Sequence, residues 1–249
     1  MKPRKLTLCL LFILLGSSSI VAQRKPPTGG RLAVVVEERL AALRATPQLN
    51  GKLVRRVGRG RMVAIKSAKT NAEGITFFLV NVTSRTQGWI QREAVVSPTR
   101  AGDDQRLMRL IERSQGFDRI SRARIFLEHF TRSPLRPDVL LLLGDTAEEL
   151  AAQLSTDAAR RLKDNPGEAP EFSYYLNYTG LDRYNRQGVK FVFDRSTKRF
   201  HYDGAAWRDL IRVYPRSSAA SEARKRLDSI SHKEAQKAQG VPKIRTRGC

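Results

Sequence analysis

A chain of 249 residues, 41% hydrophobic and 28% charged, is long enough for one or two packed domains and too apolar to be disordered throughout. Its 46 lysines and arginines outnumber 24 aspartates and glutamates, a formal net charge of +22 that draws the protein towards polyanions. Two cysteines and three histidines exclude a disulfide framework and make poor material for a cysteine peptidase or a histidine-rich metal centre.

The first residues read as an export signal. Lys2, Arg4 and Lys5 supply charge, Leu6 to Leu15 is an unbroken apolar run, and Gly16 and Ser17–Ser19 lead to Ala22. The run is shorter than the roughly 20 residues of a spanning helix, and no later run could span, so no integral span remains after cleavage. An uncleaved anchor is the alternative. Cys9 lies inside the apolar run and not after it, which argues against a lipoprotein. The signal is expected over 1–22 and the localisation is periplasmic or secreted. Outside the membrane the available anions are wall carboxylates, phosphate-bearing polymers and lipid headgroups, and nucleic acid is not an expected partner.

Residues 23–30, rich in Pro and Gly, read as a flexible leader. Residues 31–98 then read as β structure. Short β-branched runs occur at 32–36, 52–57, 61–67, 75–82, 88–90 and 94–96, with a Gly58-Arg59-Gly60 turn between the second and third. Close spacing of short strands indicates a small barrel. Over 31–99 there are 12 basic and 4 acidic side chains, against 24 and 19 over 100–230, so the basic excess is concentrated in this first module.

The period turns helical from Asp103, where Leu107, Leu110 and Ile111 share a face, followed by Ile120, Ala123, Phe126, Leu127 and Phe130. Residues 138–154 form the strongest helical pattern, opened by Asp138 after Pro137. An irregular insertion is expected over 163–203, helix again over 204–213 and 218–230, and a disordered basic tail over 231–249. Phe130–Asp138 matches Tyr214–Glu222 at an offset of 84 residues. In each, a helix ends on an aromatic residue, a polar turn follows and an acidic residue opens the next helix. Duplication explains this match, and so do two unrelated hairpins with common turn chemistry.

Residues 41–96 resemble the bacterial SH3-like (SH3b) family. The resemblance is carried by Leu43–Pro47, a degraded form of its L-x-V-R-x-x-P opening, by Val57–Val63 as its G-x-x-V hairpin, and by Gln87–Ile90 as its G-W-V strand. Ala41-Ala42 depart from that pattern, and Lys66–Gly74 reads as a long polar loop. The helical hairpins are similar to tetratricopeptide repeats, carried by Val213–Ser217 followed by Ala219, Ala220 and Ala223. The resemblances imply a multidomain α+β chain, with an SH3-like barrel over 31–98 and an all-α tetratricopeptide-like domain over 103–230. They imply recognition of a wall component or peptide by the barrel and of a protein partner by the helices.

Residue chemistry points to binding. His129, His201 and His232 are scattered, and the chain has no GxSxG, SxxK or phosphate-binding loop. No catalytic residue, cofactor or metal is expected. The rival class is a carboxylate-dependent wall hydrolase built on Glu171, Asp182 and Asp194, although no spacing selects a pair. A third reading is a periplasmic scaffold or sensor without wall contact. The expected ligand residues are Arg44, Arg55, Arg56, Arg59 and Arg61 as one basic edge, with Trp89 beside them as a groove or core residue. Tyr174, Tyr175, Asn177, Tyr178 and Tyr184 form a candidate partner patch, or else pack the insertion onto the helices. Sequencing of the mature N-terminus is expected to start at Gln23 or within a few residues of it. A cytosolic chain retaining Met1 would overturn the export reading.

Overall fold

The computed structural model describes residues 29–165, 167, 170–176 and 180–239. The export signal, nearly all of the leader, the last residues of the tail, Asn177 and Tyr178 lie outside the described residues. The architecture is α+β: a seven-stranded antiparallel sheet followed by a half that is mainly helical.

The strands are β1 (Arg31–Val35), β2 (Ala42–Arg44), β3 (Leu53–Arg56), β4 (Met62–Thr70), β5 (Thr76–Thr83), β6 (Thr86–Gln91) and β7 (Val95–Val96), ordered β3-β2-β6-β5-β4-β1-β7. Alternate side chains of six of them converge on one core that includes Val35, Leu43, Val63, Phe78, Val80 and Ile90. The sheet therefore wraps around its own apolar face. The polar stretch expected as a loop over Lys66–Gly74 is strand as far as Thr70. The cross-strand pair Thr70 and Thr76, whose hydroxyls lie 3.0 Å apart, extends the ladder, and only Asn71–Gly74 turns. Asn71 Oδ1 accepts the Ile75 N–H at 2.8 Å, and Gly74 has the positive φ of +77° that closes the turn.

β1 and β7 are apolar on both faces. Val35 and Val95 point into the sheet core, whereas Val34, Val36 and Val96 belong to the helical core. The chain then enters α1 (Asp103–Glu112) through a tied turn. Asp103, 2% exposed, accepts the Ser97 N–H at 2.8 Å on one carboxylate oxygen and pairs through the other with Arg100 and Arg106, at 3.0 and 3.3 Å. Arg106 also donates to the carbonyls of Glu93 and Val95. The change from strand to helix falls at 97–103 as the periodicity indicates, but the two halves are packed together and not hinged there.

Two antiparallel helix pairs follow, α2 (Gly116–His129) with α3 (Arg136–Asp164), and α6 (Ala205–Val213) with α7 (Ser218–Gln239). Their turns are built alike. Phe130 and Tyr214 end the first helix of each pair, and each accepts at its carbonyl an N–H, from Ser133 at 3.2 Å and from Ser217 at 3.0 Å. Each serine hydroxyl then accepts an N–H at the start of the next helix, from Leu135 at 3.3 Å and from Ala220 at 3.1 Å. Ser217 thereby caps α7, whereas the Ser133 bond closes the turn just ahead of α3, whose first residue follows Leu135. The equivalent turns touch, because Arg136 Nε donates to the Tyr214 hydroxyl at 2.9 Å. α7 continues to Gln239, so the segment expected as disordered tail is helical over 231–239.

The insertion is more ordered than its Gly and Pro content suggests. It holds α4 (Glu171–Leu176), α5 (Leu181–Asn185) and a two-stranded hairpin, β8 (Phe191–Asp194) with β9 (Arg199–Tyr202). Asp194 shapes the hairpin turn by accepting from the backbone N–H and hydroxyl of Ser196 and from the Thr197 hydroxyl. The hairpin lies against α3, where the Phe200 N–H donates to Ser155 Oγ at 2.8 Å and the Tyr202 N–H to Glu148 at 3.0 Å.

α3 and α6 meet at Gly144, where an added Cβ would stand 2.3 Å from Nε1 of the buried Trp207. Gly144→Ala gains helix propensity of about 1 kcal/mol. It also forces an indole 1% exposed to move in a filled core, at a cost of about 1–3 kcal/mol. Gly144→Ala is expected to melt below the parent in a thermal scan, and an unchanged or higher midpoint would show that α6 yields freely.

Candidate functional site

The expected basic edge divides into exposed and engaged arginines. Arg55 and Arg56 are exposed on β3, an end strand of the sheet that pairs only with β2 among the described residues. Leu53 and Val54, each 47% exposed, complete a strand with no buried position. The other three turn inward. Arg44 Nη1 donates to the Gly51 carbonyl at 2.8 Å, and Arg61 Nη2 to the Val82 carbonyl at 3.2 Å. Arg59, whose side chain is 11% exposed, pairs with Asp118 of α2 at 2.8 Å. Trp89 is half-buried on the outer face of the sheet, opposite Arg44 on one side and Leu79 on the other. Leu53 lies opposite Arg44, so Leu79, Trp89, Arg44 and Leu53 form one row that ends at β3.

The described tyrosines of the expected patch are core residues. Tyr174, Tyr175 and Tyr184 are all at or below 5% exposed. Tyr175 packs on Phe193, and Tyr184 lies edge-on to Phe117 and Phe191. Their hydroxyl chemistry is internal: Tyr174 donates to the Asn165 carbonyl at 2.6 Å, and Tyr184 accepts from Arg183 at 2.7 Å. Buried rings present no surface to a partner. The acids of the hydrolase alternative are dispersed in role: Glu171 pairs with Lys198, Asp194 serves its own turn and Asp182 sits exposed in the first turn of α5. Among the described residues no group of His, Cys, Asp and Glu could hold a metal ion, and no helix is long and apolar enough to cross a membrane. His129 is half-buried in α2, and burial pulls its pKa down from the ordinary histidine value.

Periodicity did not single out the residues that join the halves. Arg122 of α2 is 6% exposed at its side chain, and all three of its guanidinium nitrogens are used. Nε donates to the Val36 carbonyl at 3.2 Å, Nη1 to Ser114 Oγ at 2.6 Å and Nη2 to Glu37 Oε2 at 2.7 Å. Burial pulls this guanidinium's pKa down, and Arg59 adds to the effect, while Glu37 and Asp118 oppose it. Beside Arg122 opens a cleft of about 560 Å3, walled by Glu38, Arg39 and Arg59 from the sheet and by Arg113, Gln115 and Asp118 from the helices. A second cleft of about 340 Å3 lies between α2, α3 and α6, with Leu127, Leu140 and Val213 under Arg124, Arg136 and Arg212. The sequence held no signal that separates Arg122 from Arg124: both lie among Ile120, Ala123, Ile125, Phe126 and Leu127, yet Arg122 is buried and Arg124 exposed.

No protein-family model, curated protein or solved structure matches the chain.

The joint predicts both a mutational and a pH effect. Arg122→Met strands the Val36 carbonyl and leaves Glu37 without its cation, and is expected to lower unfolding free energy by about 3 kcal/mol in a denaturant titration. The hydrogen bond from Arg59 holds the Asp118 carboxyl below its ordinary pKa, assisted by the charges of Arg59 and Arg122. A depressed folded-state pKa contributes stability that is full above the unfolded value and lost as pH falls through the folded one. Asp118 is half exposed, so this contribution is below about 1 kcal/mol. Asp118→Asn is therefore expected to reduce stability near neutral pH and to flatten its fall below about pH 4, where the parent carboxyl titrates. Parallel curves for parent and variant would remove Asp118 from the acid response.

Proposed function

We propose that the chain is an exported, non-catalytic binding protein of the bacterial envelope. Its sheet module, which we take as SH3-like, engages an anionic wall component, and its helices, which we take as tetratricopeptide-like, hold a protein partner. Support for the SH3-like assignment is the β4-β5-β6 meander, flanked by β2 on one side and by β1 and β7 on the other, around a single small core. Support for the helical assignment is the pair of equivalent turns after Phe130 and Tyr214. The cleft between α2, α3 and α6, which sets Leu127, Leu140 and Val213 among arginines and the acids Glu128 and Asp209, is a place for a protein segment.

One observation carries the reading: Arg55 and Arg56 are consecutive exposed residues of β3, an end strand of the sheet, and present a cation to either face of its free edge. Adjacent unburied cations create an attractive potential for a polyanion, and salt weakens it over a Debye length of about 8 Å at physiological ionic strength. The test must spare Arg59 and Arg61, whose replacement would disturb internal contacts. Arg55→Gln with Arg56→Gln should leave the fold intact, since exposed substitutions cost under about 0.5 kcal/mol each. The parent is expected to sediment with purified wall sacculi at low salt and to stay in the supernatant at high salt, and the double variant to stay in the supernatant at both. A parent that ignores sacculi at low salt, or a variant that sediments equally, would overturn wall binding through β3.

A further inference from the structure

The cleft between sheet and helices has cationic groups left over after its own carboxylates are engaged. Glu37 takes the Arg122 guanidinium at 2.7 Å, and Asp118 takes Arg59 at 2.8 Å. Glu38 accepts the Arg59 backbone N–H at 2.8 Å. Two further guanidiniums line the same space, Arg39 from the turn after β1 and Arg113 from the end of α1. Both are exposed, and neither makes a close ion pair among the described residues, although the charge of Arg39 is felt at Asp118. The Nε of Arg59, sealed from solvent, also has no acceptor. The four arginines of the cleft thus outnumber its three acids, and Arg39 and Arg113 are the two at its opening.

We propose that this cleft is a binding site for a phosphate dianion, held between Arg39 of the sheet module and Arg113 of the helical module. The chemistry selects the class. A guanidinium offers a planar fork of donors that matches two oxygens. A carboxylate has only two oxygens and satisfies one such fork, whereas a phosphate monoester or inorganic phosphate presents enough acceptors for two forks from opposite sides. Occupancy ties together residues from both halves of the chain, so a ligand bound there stabilises the joint itself. Arg55 and Arg56 take no part.

The experiment is a thermal scan of the full chain at constant ionic strength, with chloride replaced stepwise by inorganic phosphate, by glycerol phosphate or by acetate. Phosphate stabilises proteins in general through exclusion from their surfaces, without saturating. The parent is therefore compared with Arg39→Gln/Arg113→Gln. The expected result is a saturable rise in melting temperature at millimolar phosphate in the parent alone, with little effect of acetate. The Nε–H resonances of Arg39 and Arg113 should shift over the same range. A larger response to glycerol phosphate would assign the site to a phosphate carried on a larger molecule, and a larger response to inorganic phosphate to the free ion. An equal rise in parent and variant, or a rise that never saturates, would overturn the site. Arg55→Gln/Arg56→Gln is expected to keep the phosphate response, so failure here and failure of wall binding are read separately.

Discussion

Burial of β1 and β7 on both faces is the constraint on which the rest of the structure depends. A strand between two cores has no side to give to water, so Val34, Val35 and Val36 must all be apolar, and so must Val95 and Val96. The sheet core and the helical core share these two strands. Separating the halves would expose Val34, Val36 and Val96 together with their helical neighbours. Two polar groups admitted to this seam, Asp103 and Arg122, are fully engaged, whereas the buried Nε of Arg59 has no acceptor. Asp103 receives a backbone N–H and two guanidiniums, and Arg122 places each of its nitrogens on an acceptor. An ion taken out of water at such a place is tolerable only with that full set of partners.

The strands were legible because their signals are local. β-branched runs bounded by glycine turns mark β3, β4 and β5 without knowledge of anything distant. The unbroken run at 32–36 also carries the two-sided burial of β1, but a run alone cannot say what covers the second face. The insertion was less legible for a related reason. Phe191–Asp194 and Arg199–Tyr202 alternate as strands do, yet the surrounding glycines and prolines read as loop. Tyrosine suits a binding surface and a core equally, and the choice is made by Phe117, Phe193 and the Asn165 carbonyl, which composition does not bring together.

The match between Phe130–Asp138 and Tyr214–Glu222 acquires physical content from the serines. Ser133 and Ser217 each anchor the turn, through the preceding aromatic's carbonyl and through an N–H that follows, so the recurring residues are those the turn geometry needs. That need would produce the same residues by descent or by convergence. The contact between Arg136 and Tyr214 is different in kind, since it fixes one hairpin against the other and has no counterpart in a solitary hairpin.

Charge was the most prominent feature of the sequence, and its sign alone said little about where it acts. Arginines that look equivalent in a list of basic residues differ once folded: Arg44 and Arg61 brace loops through backbone carbonyls, and Arg59 and Arg122 bind the two halves, with Asp118 59 residues from Arg59 and Glu37 85 residues from Arg122. No local pattern could reveal those partners. Nine of the twelve basic side chains over 31–99 remain exposed, among them Arg55 and Arg56 on β3 and Arg39 at the cleft. Screening acts mainly on exposed charges separated by water and much less on buried pairs. Ionic strength therefore separates the two populations: it weakens what the surface arginines attract while leaving the joint that the buried arginines hold.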